Sequence, residues 1–388
     1  MAKKAANGTG HTYQRKDGRW EAKVTTGYDP ATGKQLFRSI YGKTQKEVEQ
    51  KKRQLLTQLE NGTFTQPQKI TVAEWMKEWL STFARAKNKP YTLASYSVII
   101  DNHITKHLGK LKLQSLRGIH VQRMYNSMIA EGLSAKTVKN IGAVLHKAMN
   151  IARRQHLIAT NPADDAELPR VERHEITPLR DEDVSPFMAA IEADCYCNAF
   201  AVTLLCGTRE GETLGLSWDH VNFEAGTIEI CQQLQRDKTP GGQHHIVPFT
   251  KTDRPRTITP PPLAFDYLRK EQLRQKEKQL AAGPAWSNPD NLCFTNDDGG
   301  CVKLFTFYKH FKQIVASIGR PDLRPHDLRH TAATVAIANG GDVKSVQSLL
   351  GHSTPTITLS LYTHASEKMA RETASKVQGY YEQKLTNI

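Results

Sequence analysis

Two polar stretches that carry proline or glycine, residues 62–69 (GTFTQPQK) and 161–178, interrupt the hydrophobic periodicity of this 388-residue chain. Chains beyond about 250–300 residues rarely remain on one hydrophobic core, so these breaks read as domain boundaries. They predict three parts, residues 1–66, 67–170 and 171–388. The patterns inside the parts give the expected fold class, multidomain α+β. A small three-stranded sheet with one helix comes first, then an all-α part, then a mainly α part with a short sheet.

The first ten residues are small, polar and basic and read as a flexible arm. Residues 12–16, 20–26 and 34–41 read as strands, separated by turn signals at Asp17-Gly18 and in 28–33 (YDPATG). A helix is expected over 44–59, with Thr44 as N-cap and Glu47 three residues on, the spacing of a capping box. Val48, Leu55 and Leu59 then line the face packed on the sheet, and Arg15, Lys23 and Arg38 are expected on the opposite face. A small basic sheet of this kind can enter a DNA groove. A solvated face would have a similar composition, and the charge balance favours DNA.

That balance is uneven. Residues 1–66 hold 13 Lys+Arg against 6 Asp+Glu, residues 67–170 hold 16 against 7, and residues 171–388 hold 24 against 26. The whole surplus of the +14 net charge therefore lies in the first 170 residues. Lysine and arginine displace condensed counterions from phosphates, so nucleic acid is the expected partner. A membrane surface would attract the same charge, but there is no strongly basic amphipathic helix or lipidation signal. No run approaches the roughly 18 apolar residues of a spanning helix. The start, Met-Ala-Lys-Lys, lacks an apolar signal segment, so a cytosolic chain is expected.

Residues 71–166 are expected to be mostly helical. Val72, Trp75, Met76 and Trp79 recur at helical spacing, as do residues in 92–107 and 121–131. Residues 134–154 place Val138, Ile141, Leu145, Met149 and Ala152 on one face. From Leu179 onward helices mix with short strands near 226–233 and 256–259. The six cysteines include Cys195-x-Cys197, a possible metal or redox fragment, but reduced thiols are the preferred reading.

Four local features in the last 210 residues bear on chemistry. In 204–218 a helix ends near Gly207, Arg209 sits in the turn, and a new helix begins toward Leu214. An arginine beside glycines can approach a phosphate with its planar fork, and Glu212 either orients that guanidinium or caps the next helix. Residues 249–259 (FTKTDRPRTIT) read as a hairpin loop followed by a strand, with Lys251 as a candidate proton donor. In 323–334, Pro325 suits a helix start and places His326 and Arg329, at i and i+3, on one face. In 349–364, Gly351 ends a helix, His352 stands at the corner, and Tyr362 lies about two turns into the next helix. Taken singly, each has an ordinary structural explanation. A tyrosine in such a place is usually packing, and a phenol of pKa about 10 needs activation to act as a nucleophile.

As an ordered set, Arg209, Lys251, His326, Arg329, His352 and Tyr362 within these flanking sequences resemble the tyrosine recombinases, the phage integrase family. The resemblance covers residues 179–370. The three-part layout is most like integrases of conjugative transposons and temperate phages. It implies an arm-type DNA-binding domain (1–66), a helical SAM-like core-binding domain (67–170) and a catalytic domain (171–388). It further implies strand cleavage through a 3′-phosphotyrosyl intermediate at Tyr362, with exchange by way of a Holliday junction. Arg209 and Arg329 clamp the phosphate, His326 and His352 assist, and Lys251 protonates the leaving 5′-oxygen. Neither metal, ATP nor any other cofactor is implied. The implied partners are double-stranded DNA at core and arm sites, three further copies forming a tetramer, and an excisionase and a DNA-bending protein. The implied setting is the bacterial cytoplasm at the nucleoid, away from membranes.

Three other readings stand beside this one. A type IB topoisomerase shares the chemistry, but the basic front sheet favours an integrase. A non-catalytic DNA-binding regulator leaves the residue set unexplained, and a metal-dependent nuclease would carry a carboxylate cluster. The tail, 375–388, carries Val377, Tyr380, Tyr381, Leu385 and Ile388. It is amphipathic enough to dock on a neighbouring subunit or to pack on its own domain.

Overall fold

The structure is a computed structural model; it describes residues 11–28, 32–61, 69–172, 178–237, 241–249, 255–351, 377–378 and 381–382. The expected arm, the linker over 62–68 and most of the tail lie outside these residues. The chain forms two compact units, residues 1–172 and 173–388. The architecture is mixed α+β, with several small antiparallel sheets among many helices.

In the first unit, β1 (His11–Gln14), β2 (Trp20–Tyr28) and β3 (Gln35–Gly42) form an antiparallel meander in that order. Helix α1 (Gln45–Glu60) starts at Thr44, whose hydroxyl accepts the Glu47 N–H at 3.3 Å, and the Glu47 carboxylate takes the Lys43 N–H at 2.9 Å. Ala22, Val24 and Ile40 of the sheet pack on Val48 and Leu55 of the helix, with Leu59 at the margin. Strand register corrects one expectation. Ala22 pairs with Ile40 and Val24 with Arg38, whereas Lys23 pairs with Ser39. Successive strand residues face opposite sides, so the buried Ile40 commits Arg38 to the α1 side. Arg15, whose guanidinium lies 5.5 Å over the Tyr41 ring, shares the outer face with Lys23.

The helical part begins at Thr71, which forms a full capping box with Glu74. Helix α2 (Val72–Glu78) runs on into a π-helical turn, Trp79–Ala84; α3 (Pro90–Ile99) runs through another, Ile100–Ile104, into α4 (Thr105–Leu108). The even helix expected over 92–107 is thus widened in its middle. Helices α5 (Gly118–Ala130) and α6 (Ala135–Arg154) complete it. Val72, Trp75, Met76 and Trp79 meet Val138, Ile141, Leu145, Met149 and Ala152 in one core. The buried Trp75 indole donates to the Ala148 carbonyl at 3.2 Å, satisfying its one polar atom.

The second unit is organised by a helix with no polar stripe. It opens with α7 (Asp181–Glu192), and α8 (Cys197–Cys206, CNAFAVTLLC) follows, buried from Asn198 to Leu204. A helix apolar on all sides is stable only when surrounded. Around it lie α9 (Glu210–Leu214), β4 (Val221–Asn222), β5 (Thr227–Ile230), β6 (Gln232–Arg236), β7 (His244–Pro248), β8 (Arg256–Ile258), α10 (Pro262–Ala282), α11 (Leu304–Ser317), α12 (Pro325–Ala338) and α13 (Val343–Leu350). Contacts with α7, α9, α10 and α12 cover α8 directly. Strands β6 and β7 form a hairpin of their own, while β8 pairs with β5 in the order β4-β5-β8. The segment 249–259 therefore links two sheets. It reads as a hairpin loop in sequence because the true partner of β8 lies about thirty residues upstream, beyond the reach of local turn signals.

Candidate active site

The site starts where α8 stops. Gly207 takes a left-handed conformation (φ 61°), and a Cβ there would stand 2.7 Å from a Leu350 methyl group, so both backbone and space require glycine. The chain then turns into Arg209, the N-cap of α9. At the third helical position the Glu212 carboxylate accepts the Arg209 N–H at 3.0 Å and the Arg209 Nη1 at 2.6 Å. Glu212 thus performs both roles its sequence position suggests, capping a helix and orienting a guanidinium.

A second arginine reaches the same carboxylate from β8. Arg256 donates from Nη1 to Oε1 at 3.2 Å and from Nη2 to Oε2 at 2.7 Å, and its Nε donates to the Leu349 carbonyl at 3.1 Å. Glu212 has no exposed side-chain surface. Burial alone would raise its pKa, but hydrogen bonds and charge from Arg256, and then Arg209, hold it down at about 2. It is a permanent anion at neutral pH.

Helix α12 supplies the third arginine. Pro325 opens the helix, and Arg329 one turn later has no exposed surface. Its Nη1 donates to the Gly207 carbonyl at 2.8 Å, its Nη2 to the Leu350 carbonyl, and its Nη1 lies 3.9 Å from Glu212. Its Nε is buried with no hydrogen-bond partner among the described residues. Burial, then the charge of Arg209, push the guanidinium down to about 9, still protonated at pH 7.

Among the described residues three guanidiniums thus surround one carboxylate, leaving two positive charges in excess around a Glu212 and an Arg329 that have no exposed side-chain surface. Uncompensated buried charge is costly, and an unsatisfied buried donor adds to that cost. Both are relieved by an anion with several acceptor oxygens. Arg209, whose side chain is 44% exposed, is the open approach. His326, also exposed, stands edge-on to His330 with centroids 4.8 Å apart. Loss of water on its inner side, then His330, Arg329 and Arg209, push its imidazole down to about 4. It is neutral at pH 7 and able to take a proton. His330 is buried with its Nδ1 unpartnered among the described residues, and burial lowers its pKa as well.

Of the residues the sequence singles out for chemistry, Arg209, His326 and Arg329 come together, while Lys251, His352 and Tyr362 lie outside the described residues. Arg256 falls within the segment 249–259, but sequence reasoning gave it no role. Its signal is strand alternation, which puts it on the same face as the buried Ile258. The Cys-x-Cys fragment separates: the Cys195 thiol faces Asp194 and His310, whereas Cys197 points to Asn198. A second grouping, His220, Glu229 and Cys231, has the imidazole bridging the other two through opposite nitrogens, an arrangement that diverges from a single coordination centre.

The phage integrase family matches residues 178–369, and the phage integrase N-terminal SAM-like domain matches residues 71–129. A tyrosine recombinase XerC-like protein of Caldanaerobacter subterraneus subsp. tengcongensis is 30% identical over 362 residues, covering 89% of this chain and 92% of the relative. The ICEBs1 integrase of Bacillus subtilis is 23% identical and covers 93% of this chain and 97% of its own. Among solved structures, the Tn1549 transposon integrase in complex with a circular intermediate DNA aligns with TM-score 0.67 at 21% identity, over 79% of this chain and 99% of that one. A lambda integrase dimer bound to a core site aligns with TM-score 0.56 at 18% identity, over 90% and 93%. The structural likenesses show the fold. The 30% identical relative, together with the family match, establishes that this chain belongs to the phage integrase family, the tyrosine recombinases, enzymes of DNA cleavage and rejoining. Among the described residues no helix is long and apolar enough to cross a membrane.

Proposed function

We propose that the chain is the integrase of a mobile element, joining and releasing that element at specific DNA sites. The observation that carries this reading is the anion-seeking cluster of Arg209, Arg329 and Glu212, with a buried Arg329 Nε that has no partner among the described residues. A scissile phosphate supplies the missing acceptors. Two guanidiniums then bear on its non-bridging oxygens, where negative charge accumulates during in-line attack. The Tyr362 oxygen attacks phosphorus as its proton passes to a base; His326 is neutral at pH 7, and the negative charge of the bound phosphate raises the basicity that burial and the arginines lower. The 5′-oxygen departs with a proton from Lys251, and His352 donates to a phosphate oxygen. The 3′-phosphotyrosyl ester conserves the bond, so a partner strand's 5′-hydroxyl reverses the step without ATP or a metal.

The division into an arm-binding part (1–66), a core-binding part (67–170) and a catalytic part (171–388) belongs to the same proposal. It is supported by the two separate hydrophobic clusters of the first unit and by the SAM-like match inside 71–129. So does assembly as a tetramer on a Holliday junction, the arrangement of a solved lambda integrase complex. Arm-site binding falls to the outer face with Arg15 and Lys23, with an excisionase and a DNA-bending protein as accessory partners in the bacterial cytoplasm at the nucleoid.

The test is covalent capture. Nicked duplexes of randomised sequence are incubated with the protein, and adducts are collected under denaturing conditions. The wild-type chain is expected to form a covalent adduct, and Tyr362→Phe to lose it while keeping DNA binding. An adduct surviving in Tyr362→Phe moves the nucleophile elsewhere, and none with wild type refutes the reading.

A further inference from the structure

The Glu212 carboxylate is fully subscribed. Oε1 accepts from Arg209 and Arg256, and Oε2 accepts from the Arg209 backbone and Arg256. A carboxylate has about four lone-pair sites, so nothing is left for Arg329, whose Nη1 stands off at 3.9 Å. Arg329 turns its Nη groups to the carbonyls of Gly207 and Leu350 instead, and its Nε has no partner among the described residues. Were Arg256 removed, two acceptor sites on a buried anion would open beside Arg329, a guanidinium at 3.9 Å that is not yet bonded to it.

Arg256 makes a second connection. Its Nε holds the Leu349 carbonyl, next to the Leu350 carbonyl that Arg329 takes. Two cations therefore close the C-terminal end of α13, the negative end of its dipole. The helix then leaves through Gly351 in the left-handed conformation (φ 65°), where a Cβ would stand 2.8 Å from Arg256 Cδ. The next residue in the chain is His352. With 10% of its side chain exposed and every guanidinium nitrogen engaged, Arg256 is not itself a phosphate ligand.

We propose that Arg256 is a positioning residue of the cleavage centre: by saturating Glu212 and gripping the end of α13 it keeps Arg329 available for the scissile phosphate. The inference rests on the function proposed above and goes beyond its residue set.

The experiment uses the full chain and a nicked duplex selected by wild-type adduct capture from the randomised pool. Arg256→Met is expected to slow adduct formation by about 100-fold, the scale of a small misplacement of a reacting group, with noncovalent binding of the duplex little changed. Arg256→Met combined with Glu212→Gln removes the unpaired anion and is expected to recover about tenfold, a coupling within the range for groups sharing one network. A purely structural role predicts that the second substitution only worsens the first. Arg256→Lys, which keeps the charge but loses the bidentate geometry, is expected between wild type and Arg256→Met. Nitrogen-15 spectra of the arginine Nε–H groups, taken without DNA, should show the Arg329 signal displaced in Arg256→Lys. Wild-type rates in Arg256→Met, or a double variant no faster than the single one, overturn the proposal; so does an unmoved Arg329 signal. Absence of any wild-type adduct refutes the recombinase reading instead, and the Arg329 spectrum still decides whether Arg256 positions it.

Discussion

Among the carboxylates that stand beside cations in the described residues, Glu21 on the outer face of the front sheet contrasts with Glu212, which α9 places against β8. Glu21 is buried in its sheet but satisfied mostly by neutral groups, a hydrogen bond with Tyr13 and the Ser39 hydroxyl at 2.9 Å. Its one close guanidinium, Arg15, is 41% exposed and 3.4 Å away. Its pKa falls, led by the Tyr13 bond. Glu212 has no hydroxyl partner among the described residues and is met by two guanidiniums and a backbone N–H. On the sheet, charge balance is settled largely by hydroxyl groups, and the exposed cations answer to solvent and salt. In the site, burial forces cations to share one anion and leaves a fixed excess for a ligand. Similar residue types make an adjustable surface in one place and a preset receptor in the other.

The largest expected difference is in stability. Glu212→Ala strands three buried or half-buried guanidiniums and should cost about 3–5 kcal/mol in a denaturant titration, as for other broken buried ion pairs. Glu21→Ala should cost far less, and equal losses would break the comparison. The pH dependence sharpens it. Glu212 is held down at about 2 in the fold against an ordinary 4.5. The stability it contributes is therefore fully present above about pH 4.5 and lost as pH falls toward about 2. The stability gap between wild type and Glu212→Gln should narrow over that window and stay flat above it. The smallest effects belong to the sheet. Arg15→Ala or Lys23→Ala should each lower the salt slope of binding to arm-type DNA by about one. Arg38→Ala, on the α1 side, should leave the slope unchanged; a change there equal to that of Lys23→Ala would return Arg38 to the DNA face.

The features legible in the sequence were local. Thr44 announces its helix because a cap is decided within four residues. Gly207 and Gly351 announce ends because only glycine takes that backbone conformation readily. The spacing of His326 and Arg329 likewise lies inside one helical turn. The features that were not legible depend on pairing at a distance. Arg256 meets Glu212 across 44 residues and between two elements. The face of Arg38 was settled by register, in a strand whose outer side carries Phe37 and Tyr41 and so blurs the inside–outside alternation.

The two widened turns of the helical part have a consequence for chain length. Trp79 and Ala84, five residues apart, are both buried, as are Ile100 and Ile104 at the ends of the other widened turn. In a regular helix five residues advance about 500°, which would leave the first two roughly 140° apart around the axis. The wide turn absorbs that excess and lets both face inward. Deleting one residue between Leu80 and Phe83 would let the helix close to ordinary geometry, with four steps of about 100° leaving Trp79 and Ala84 roughly 40° apart and both still facing inward. The wide turn at Trp79–Ala84 thus accommodates one extra residue without changing which face packs inward, and losing that residue would leave the phase of the helix nearly unchanged.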